Sequence, residues 1–145
     1  MAQNYRPENV INGSSGEAWC DGDYLAEITG FTAEIDLDFE DVNMVRSLAK
    51  HKKMIGFEGK GEVKLNKVTS RFVKLVSDNL KKGKQTVVTF ITKLDDPDAL
   101  GAERIIIKDA TLEKLTLANW EAKKLTEETI PFSFTDWDPL DLIEG

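Results

Sequence analysis

The 145-residue chain is poor in the side chains that most catalytic and metal sites require. It contains one cysteine and one histidine, Cys20 and His51. One thiol cannot form an internal disulfide, and one thiol with one imidazole cannot build a typical zinc site. We expect Cys20, beside Trp19, to be a small core residue and His51 to be an exposed loop residue. These shortages argue against most classes of enzyme.

Long apolar runs are also missing. No stretch approaches the length of about 18 apolar residues that a membrane-spanning helix requires, and the mean hydropathy is -0.34. No basic segment followed by an apolar stretch marks a secretory signal. We therefore expect no membrane span, and a protein that at first stays in the cell that makes it. The length predicts a single domain, residues 1–145.

Basic charge is scarce and unevenly distributed. The chain has 26 acidic and 19 basic residues, for a net charge of -7, which argues against tight binding to a phosphate backbone. Residues 1–45 carry ten acids and one base, residues 46–126 carry eighteen bases and ten acids, and residues 127–145 carry six acids and no base. Acidic ends and a basic middle are consistent with solvated faces or with head-to-tail self-association.

The chain does contain strong strand periodicity. Apolar and polar residues alternate strictly over 30–40, which predicts a half-buried strand with an acidic outer face. A second long strand is predicted over 55–65, with three glycines that permit curvature. The turn residues Asp21-Gly22-Asp23 predict an N-terminal hairpin. Further strands are predicted over 86–93 and 129–137, with a turn over 94–101. Residues 104–110 and 112–120 are predicted to form one bent strand or two.

One segment has helical periodicity instead. Between Lys67 and Lys82 the apolar residues recur at helical spacing, and Gly83 suits the left-handed position after a helix. Lys67, Arg71 and Lys74 occupy its polar side. The order of elements predicts a mainly β fold, an antiparallel barrel or sandwich with one flanking α-helix. We also expect a mobile N-terminal arm over 1–16, an inter-strand loop over 41–53 and a C-terminal tail over 138–145.

The densest polar cluster lies on the first long strand. Glu34, Asp36 and Asp38 project from one strand face about 7 Å apart. Such carboxylates can hold a divalent cation or perform paired acid and base chemistry. A solvated strand face is the simpler interpretation.

The loop over 41–53 is the second candidate site. It carries apolar residues at near-helical spacing beside lysines, with no evident partner within the subunit. We predict that it contacts a neighbouring subunit and is poorly ordered in the isolated protein, and we expect the same of Leu140, Leu142 and Ile143. The residues predicted to make the inter-subunit contact are Val42, Met44, Val45, Leu48, Lys50 and Lys52.

Several stretches together give the chain a family resemblance. They are Gly59–Val68, the helix that ends before Gly83, Leu115–Trp120 and Glu128–Trp137. Over nearly the whole chain these stretches resemble the tail tube proteins of PBSX-type phage-like elements and contractile-tailed phages of Gram-positive bacteria. None of these stretches is a catalytic motif. The resemblance therefore depends on all of them together.

The resemblance implies a structural role, with no enzymatic activity and no cofactor. In such a protein a β-barrel or sandwich with one helix, similar to the type VI secretion tube protein, forms homo-hexameric rings that stack into the inner tube. DNA passes through the tube without sequence-specific binding. The implied partners are copies of the chain itself and the sheath, tape-measure and baseplate proteins. The implied location is the tail of a phage-like particle that is assembled in the bacterial cytoplasm.

The residues are compatible with this role. Strands of about 11 to 13 residues span on the order of 40 Å, enough for the height of a ring, and pairing between subunits would cover their edges. We expect Glu34, Asp36 and Asp38 to face the lumen, because a basic lumen would retain DNA.

Two alternatives remain open. The first is a type VI secretion-like tube protein, which shares the fold. The second is a small metal-binding or enzymatic β-barrel that uses Glu34, Asp36 and Asp38, for which chelation should remove a bound ion or an activity.

Overall fold

The computed structural model describes residues 6–144. Short 3-10 turns at Pro7–Asn9 and Gly13–Ser15 precede eight strands and one helix, and the predicted mainly β fold with one flanking helix is confirmed. In chain order the elements are β1 Gly16–Cys20, β2 Asp23–Tyr24, β3 Ile28–Val42, β4 His51–Asn66, α1 Arg71–Lys81, β5 Val87–Leu94, β6 Glu103–Leu112, β7 Glu127–Phe134 and β8 Asp136–Asp141.

All the strands pair antiparallel in one curved sheet. The order is β2-β1-β5-β6-β7-β4-β3, with β8 pairing to β6. The two ends of the sheet face each other across a groove of about 800 Å³, lined by residues 16–18 of β1 and 28–31 of β3. The sheet therefore forms an incomplete barrel with an opening between β1 and β3.

Aromatic rings fill the barrel. Phe90 and Phe132 are fully buried, with ring centroids 4.9 Å apart, and the Phe31 ring lies 5.6 Å from each of them. Val63 and Leu65 of β4 are buried beside them. The alternation of these residues with polar ones places them on the inner side of each strand, as the period of two requires.

The helix packs on this core through a narrow stripe. Phe72 is buried and Leu75 and Val76 are half-buried against the core, whereas Val68 and Leu80 stay exposed. The predicted helix is confirmed, but it begins at Arg71, four residues after its predicted start. Of the five apolar residues at helical spacing, only three contact the core. The buried stripe is therefore narrower than the sequence pattern suggests.

Two of the predicted polar residues attach this region to the barrel. The Lys67 ammonium lies 3.5 Å from a carboxylate oxygen of Glu128, and the Arg71 guanidinium lies 4.0 Å from Glu27. Glu128 is buried, so its charge needs a partner. Lys74 remains exposed on the outside of the helix.

The strand predicted over 112–120 is wrong. β6 ends at Leu112, and residues 113–126 form an irregular segment within the described chain. Glu113 still donates its N–H to the Pro131 carbonyl oxygen at 3.0 Å. Beyond that bond the segment pairs with no strand within residues 6–144, so the local alternation forms no ladder.

The strand predicted over 129–137 is two strands. β7 ends at Phe134, and β8 then follows β6, where the Lys108 ammonium donates to Asp138. The tail predicted over 138–145 is therefore strand as far as Asp141, because β6 offers an edge for it. Leu140 belongs to this strand, and Ile143 lies beside Gly101.

The N-terminal arm predicted over 1–16 is described from Arg6 onward, and β1 already begins at Gly16. The Asn9 side chain donates to the Asp98 carbonyl oxygen at 3.1 Å, and the Asn12 N–H donates to the Asp96 carboxylate at 2.8 Å. This bond and one from the Asp98 N–H lower the pKa of Asp96. The described part of this N-terminal segment thus contacts the turn between β5 and β6. That the segment is mobile stays a prediction.

Cys20 is a buried residue of β1, which confirms its predicted place in the core. Burial, with a smaller contribution from Asp21, raises the pKa of its thiol to about 12. Because only the thiolate reacts rapidly, we expect the folded protein to resist a thiol reagent at about pH 8 and to react fully after unfolding in guanidinium. Fast stoichiometric labelling of the native protein would contradict this burial.

Candidate assembly surfaces

The two longest strands extend beyond the barrel. β3 and β4 pair along their full lengths, but β4 pairs with β7 only from Gly59 to Asn66. Residues 36–58 therefore form a two-stranded hairpin without a third strand, which we call the arm. At about 3.3 Å per residue it projects on the order of 20 Å from the barrel.

One face of the arm is apolar and open. Leu37 lies opposite Phe57 and Phe39 lies opposite Met54, so the four side chains share one face. Each is about half exposed, from 47% to 54%. Phe57 contacts the Trp137 ring, with centroids 5.7 Å apart. An apolar ribbon of this kind is not stable by itself in water and is typical of an interaction surface.

This exposure corrects the expected burial of the apolar side of the first strand. Phe31 and Ile35 are half-buried over the core, as predicted, whereas Leu37 and Phe39 are not. The pairing of β4 with β7 ends at Gly59, the partner of Ile35, so Leu37 and Phe39 lie beyond the last residue pair of that ladder and are about half exposed.

The other face of the same strand carries the acidic residues. Glu34, Asp36 and Asp38 are all exposed. Lys60 lies opposite Glu34 and Glu58 lies opposite Asp36, and the Lys60 ammonium is 3.4 Å from Glu58. The strand keeps the carboxylates in a row, and no cluster of three or more potential metal ligands occurs within residues 6–144.

The loop at the end of the arm is shorter than predicted. Val42, Lys52 and Lys53 belong to strands, so the loop is 43–50, which we call the arm loop. Val45 and Leu48 are almost fully exposed, and Met44 is 54% exposed. These three apolar side chains are therefore open to solvent in the described chain. The predicted contact with a neighbouring subunit stays a prediction.

His51 is not the free loop residue that the sequence suggested. It begins β4, is half-buried, and its Nε2 lies 2.9 Å from the Ser47 hydroxyl oxygen. This hydrogen bond closes the arm loop on itself. The imidazole therefore has a structural partner.

The barrel also has a long unpaired edge. β3 is the last strand of the sheet, so the outer edge of all fifteen of its residues has no partner strand within the described chain. Exposed edges of this length promote association unless they are covered. The arm thus combines an open edge with an apolar face.

A second apolar surface escaped prediction from the sequence. Val68, Leu117, Trp120 and Leu125 are between 72% and 90% exposed, and we call them the Trp120 patch. Three of them lie in the irregular segment 113–126. The sequence did show a tryptophan beside other apolar residues in this segment. Because the segment was predicted to be a strand, these side chains were not expected to be exposed.

No helix within residues 6–144 has both the length and the apolar character needed to cross a membrane. A barrel that presents an apolar arm, an open edge and a second apolar patch is typical of a building block in an assembly. The chain belongs to the phage tail tube protein family, since the family model described as "Phage tail tube protein" matches residues 3–141.

Individual relatives agree with this assignment. The phage-like element PBSX protein XkdM of Bacillus subtilis (strain 168) is 32% identical over 135 residues, which cover 92% of each protein. A chain of the anti-feeding prophage cap superposes with a TM-score of 0.74 at 9% identity, covering 98% of this chain and 95% of that one. A chain of the PVC sheath-tube complex in the extended state gives 0.69 at 10% identity, covering 94% and 95%. The last two show a shared fold.

Proposed function

We propose that this tail tube subunit closes six-membered rings, that the rings stack into the inner tube of a contractile phage-like tail, and that DNA passes through the bore. The observation that carries the proposal is the arm, whose apolar face stays about half exposed although Phe57 contacts Trp137. The number six comes from the family resemblance.

The arm suits a contact between neighbours in a ring. Leu37, Phe39, Met54 and Phe57 continue the inner side of the barrel, so a neighbouring barrel placed against them would extend the core. The open edge of β3 can pair with a strand of that neighbour and join the sheets into one closed barrel. This heterologous contact forms a ring when its rotation closes.

The predicted loop residues then lie where subunits meet. Met44, Val45, Leu48 and Lys50 are exposed in the arm loop, with Val42 and Lys52 at the adjoining strand ends. Their contact would order the loop and bury side chains that are costly to leave in water.

The acidic face suits the bore. Glu34, Asp36 and Asp38 point away from the apolar face that would pack on a neighbour. A row of carboxylates repeated around the ring would repel the DNA backbone and let it slide, whereas lysines would bind it by releasing counterions.

The role is structural rather than catalytic. Within residues 6–144 the single thiol is buried and the single imidazole is hydrogen-bonded to Ser47. The proposed partners are copies of the chain and the sheath, tape-measure and baseplate proteins of the tail. The proposed location is the tail of the particle, after assembly in the bacterial cytoplasm.

Matched substitutions on the two faces of the arm test the ring contact. We expect Phe39→Ser to raise the protein concentration needed for assembly by at least tenfold, because a buried Phe contributes about 2 kcal/mol. Glu40→Ser, on the opposite face one residue away, should assemble as the wild type does. Negative-stain microscopy and sedimentation, with and without purified tails as seeds, measure this.

Two results would count against the proposal. One is a wild-type protein that stays monomeric at high concentration even with seeds. The other is a Phe39→Ser protein that assembles as readily as Glu40→Ser, which would place the ring contact elsewhere.

A further inference from the structure

The N-terminal segment contains the one asparagine of the chain that precedes a glycine, Asn12 before Gly13. An asparagine side chain can react with the backbone nitrogen of the next residue, and glycine hinders this reaction least because it has no Cβ atom. Every other asparagine precedes a residue with a large side chain. Asn12 and Gly13 are both exposed, and a Cβ atom added to Gly13 would meet nothing within 4 Å. Solvent therefore reaches this dipeptide.

The reaction is deamidation through a cyclic imide, one reason why asparagine is a thermolabile residue. The Gly13 nitrogen forms a bond to Cγ of Asn12, the bond from Cγ to Nδ2 breaks, and ammonia leaves with the proton that the Gly13 nitrogen gives up. Water then opens the five-membered ring at either of its two carbonyl carbons. One opening yields aspartate, and the other yields isoaspartate, in which the main chain runs through the former side chain. Water is the only other reactant.

The folded segment holds Asn12 in a conformation that cannot close this ring. Its Oδ1 accepts the Ser14 N–H at 2.9 Å, and its carbonyl oxygen accepts the Ser15 N–H at 3.0 Å. The backbone ψ angle of 123° turns the Gly13 nitrogen away from Cγ. Ring closure requires rotation about the bond between Cα and the carbonyl carbon of Asn12, which breaks both hydrogen bonds. Such local bonds from an asparagine side chain fix the conformation of a turn.

Asp96 attaches this conformation to the barrel. Its carboxylate, in the turn between β5 and β6, accepts the Asn12 N–H at 2.8 Å and the Asp98 N–H at 3.0 Å. The bond from Asn12 is the largest cause of the lowered pKa of Asp96, as expected for a carboxylate that accepts backbone N–H groups. We call the segment docked while these bonds are made. Asn12 then keeps its unreactive conformation.

Deamidation weakens the same attachment. Either product carries a carboxylate at position 12, and this negative charge lies close to that of Asp96. Isoaspartate also places one more carbon in the main chain between Cα of residue 12 and the Gly13 nitrogen, so the Ser14 and Ser15 N–H groups lose their acceptors. The 3-10 turn Gly13–Ser15 leads directly into β1 at Gly16. The modified segment is therefore displaced where it enters the barrel.

We propose that Asn12 is a site of spontaneous deamidation and that the docking of the N-terminal segment controls its rate. The docked protein reacts slowly, release of the segment makes the reaction fast, and the modified segment docks less firmly. Because the reaction is not reversed by redocking, it marks permanently those subunits whose segment has been released. The inference is independent of the proposed tube.

The rate at Asn12 in folded and unfolded protein tests this control. The full chain is incubated in one warm, mildly alkaline buffer, with and without guanidinium, and digested. Peptide mass spectrometry then measures conversion of the amide to the acid at each asparagine. We expect the rate at Asn12 to be at least tenfold lower in the folded protein. Asn79 and Asn119, which precede Leu80 and Trp120, serve as internal controls that should stay unmodified in both samples.

Two matched variants separate docking from general stability. Asp96→Ala removes the acceptor for the Asn12 N–H and should raise the rate in the folded protein at least threefold. Asp95→Ala removes the neighbouring carboxylate, which is exposed and lies 3.7 Å from the Lys93 ammonium, and should leave the rate unchanged. Circular dichroism verifies that both variants fold. Gly13→Ala should slow the reaction at least fivefold in the unfolded chain, because its methyl group hinders the attacking nitrogen.

Hydrogen exchange measures the effect on docking. Deamidated protein carries one more negative charge and is separated from the unmodified form by anion exchange. We expect the backbone amides of residue 12 and Ser15 to exchange faster in the deamidated form, while those of Val63 and Phe132 in the core stay equally protected. This measurement uses the same full chain and requires no assembly.

Each failure has a definite meaning. Equal rates at Asn12 in folded and unfolded protein would overturn the protection, and so would an Asp96→Ala protein that reacts no faster than Asp95→Ala. Unchanged exchange at residue 12 and Ser15 after deamidation would overturn the loss of docking. Faster reaction at any other asparagine would place the site elsewhere. None of these results bears on whether the protein forms rings or tubes.

Discussion

Replacing Gly61 with alanine is expected to lower the free energy of unfolding by about 3 kcal/mol or more. A methyl group on Gly61 would overlap both the backbone carbonyl oxygen of Thr32 on β3 and the ring of Phe132 on β7. The carbonyl belongs to the ladder between β3 and β4, so it cannot move aside without breaking hydrogen bonds. β4, which is paired on both sides at this position, would have to shift.

Gly56→Ala is the matched control for this prediction. Gly56 lies on the same strand, where an added methyl group would meet only the Asp38 carboxylate at an ordinary distance of 3.6 Å. We expect its midpoint of guanidinium unfolding to stay close to that of the wild type, while Gly61→Ala unfolds at a much lower concentration. Equal midpoints for the two variants would show that Phe132 and β3 do not pack on Gly61 as described.

Replacing Glu34, Asp36 and Asp38 together with lysine is expected to make assembled tubes retain DNA. The change moves the net charge of each subunit from -7 to -1 and gathers the new positive charge on one face. The fold should persist, because all three side chains are exposed and Glu58 would then face a lysine at position 36. Retention should weaken steeply with salt, as counterion release requires.

Two further variants make the test specific to this face. Lysine at Asp78, Glu113 and Glu144, which are exposed elsewhere, gives the same change in net charge and should leave DNA passage normal. Glu34→Gln with Asp36→Asn and Asp38→Asn separates the loss of negative charge from the gain of positive charge. DNA retention by the tubes and delivery by complete particles are the measurements. Triple-lysine tubes that neither bind DNA at low salt nor impair delivery would place this face outside the bore.

The sequence by itself determined the local elements. Strict alternation predicted the two long strands, helical spacing predicted the helix around Phe72, and the Asp21-Gly22-Asp23 turn predicted the first hairpin, all of which the structure contains. Burial of Cys20 also followed from its apolar neighbourhood. These features depend on residues close in the chain, so periodicity suffices to find them.

Only the tertiary structure decided which apolar side chains are covered. Ile35 and Leu37 are two positions apart in one alternating pattern, yet Ile35 packs against the core and Leu37 is half exposed. The difference is the length of β7, which pairs with β4 only as far as Gly59. Alternation indicates on which face of a strand a residue lies. Burial depends on which other parts of the protein pack against that face.

The same reason explains the other surfaces that the sequence missed. The segment with Leu117 and Trp120 alternates well enough to suggest a strand, but it pairs with no strand in the described part of the chain. The end of the chain has a weaker pattern and still forms β8, because β6 offers it an edge. A strand needs a partner strand as well as a suitable sequence, and only the three-dimensional arrangement supplies that partner.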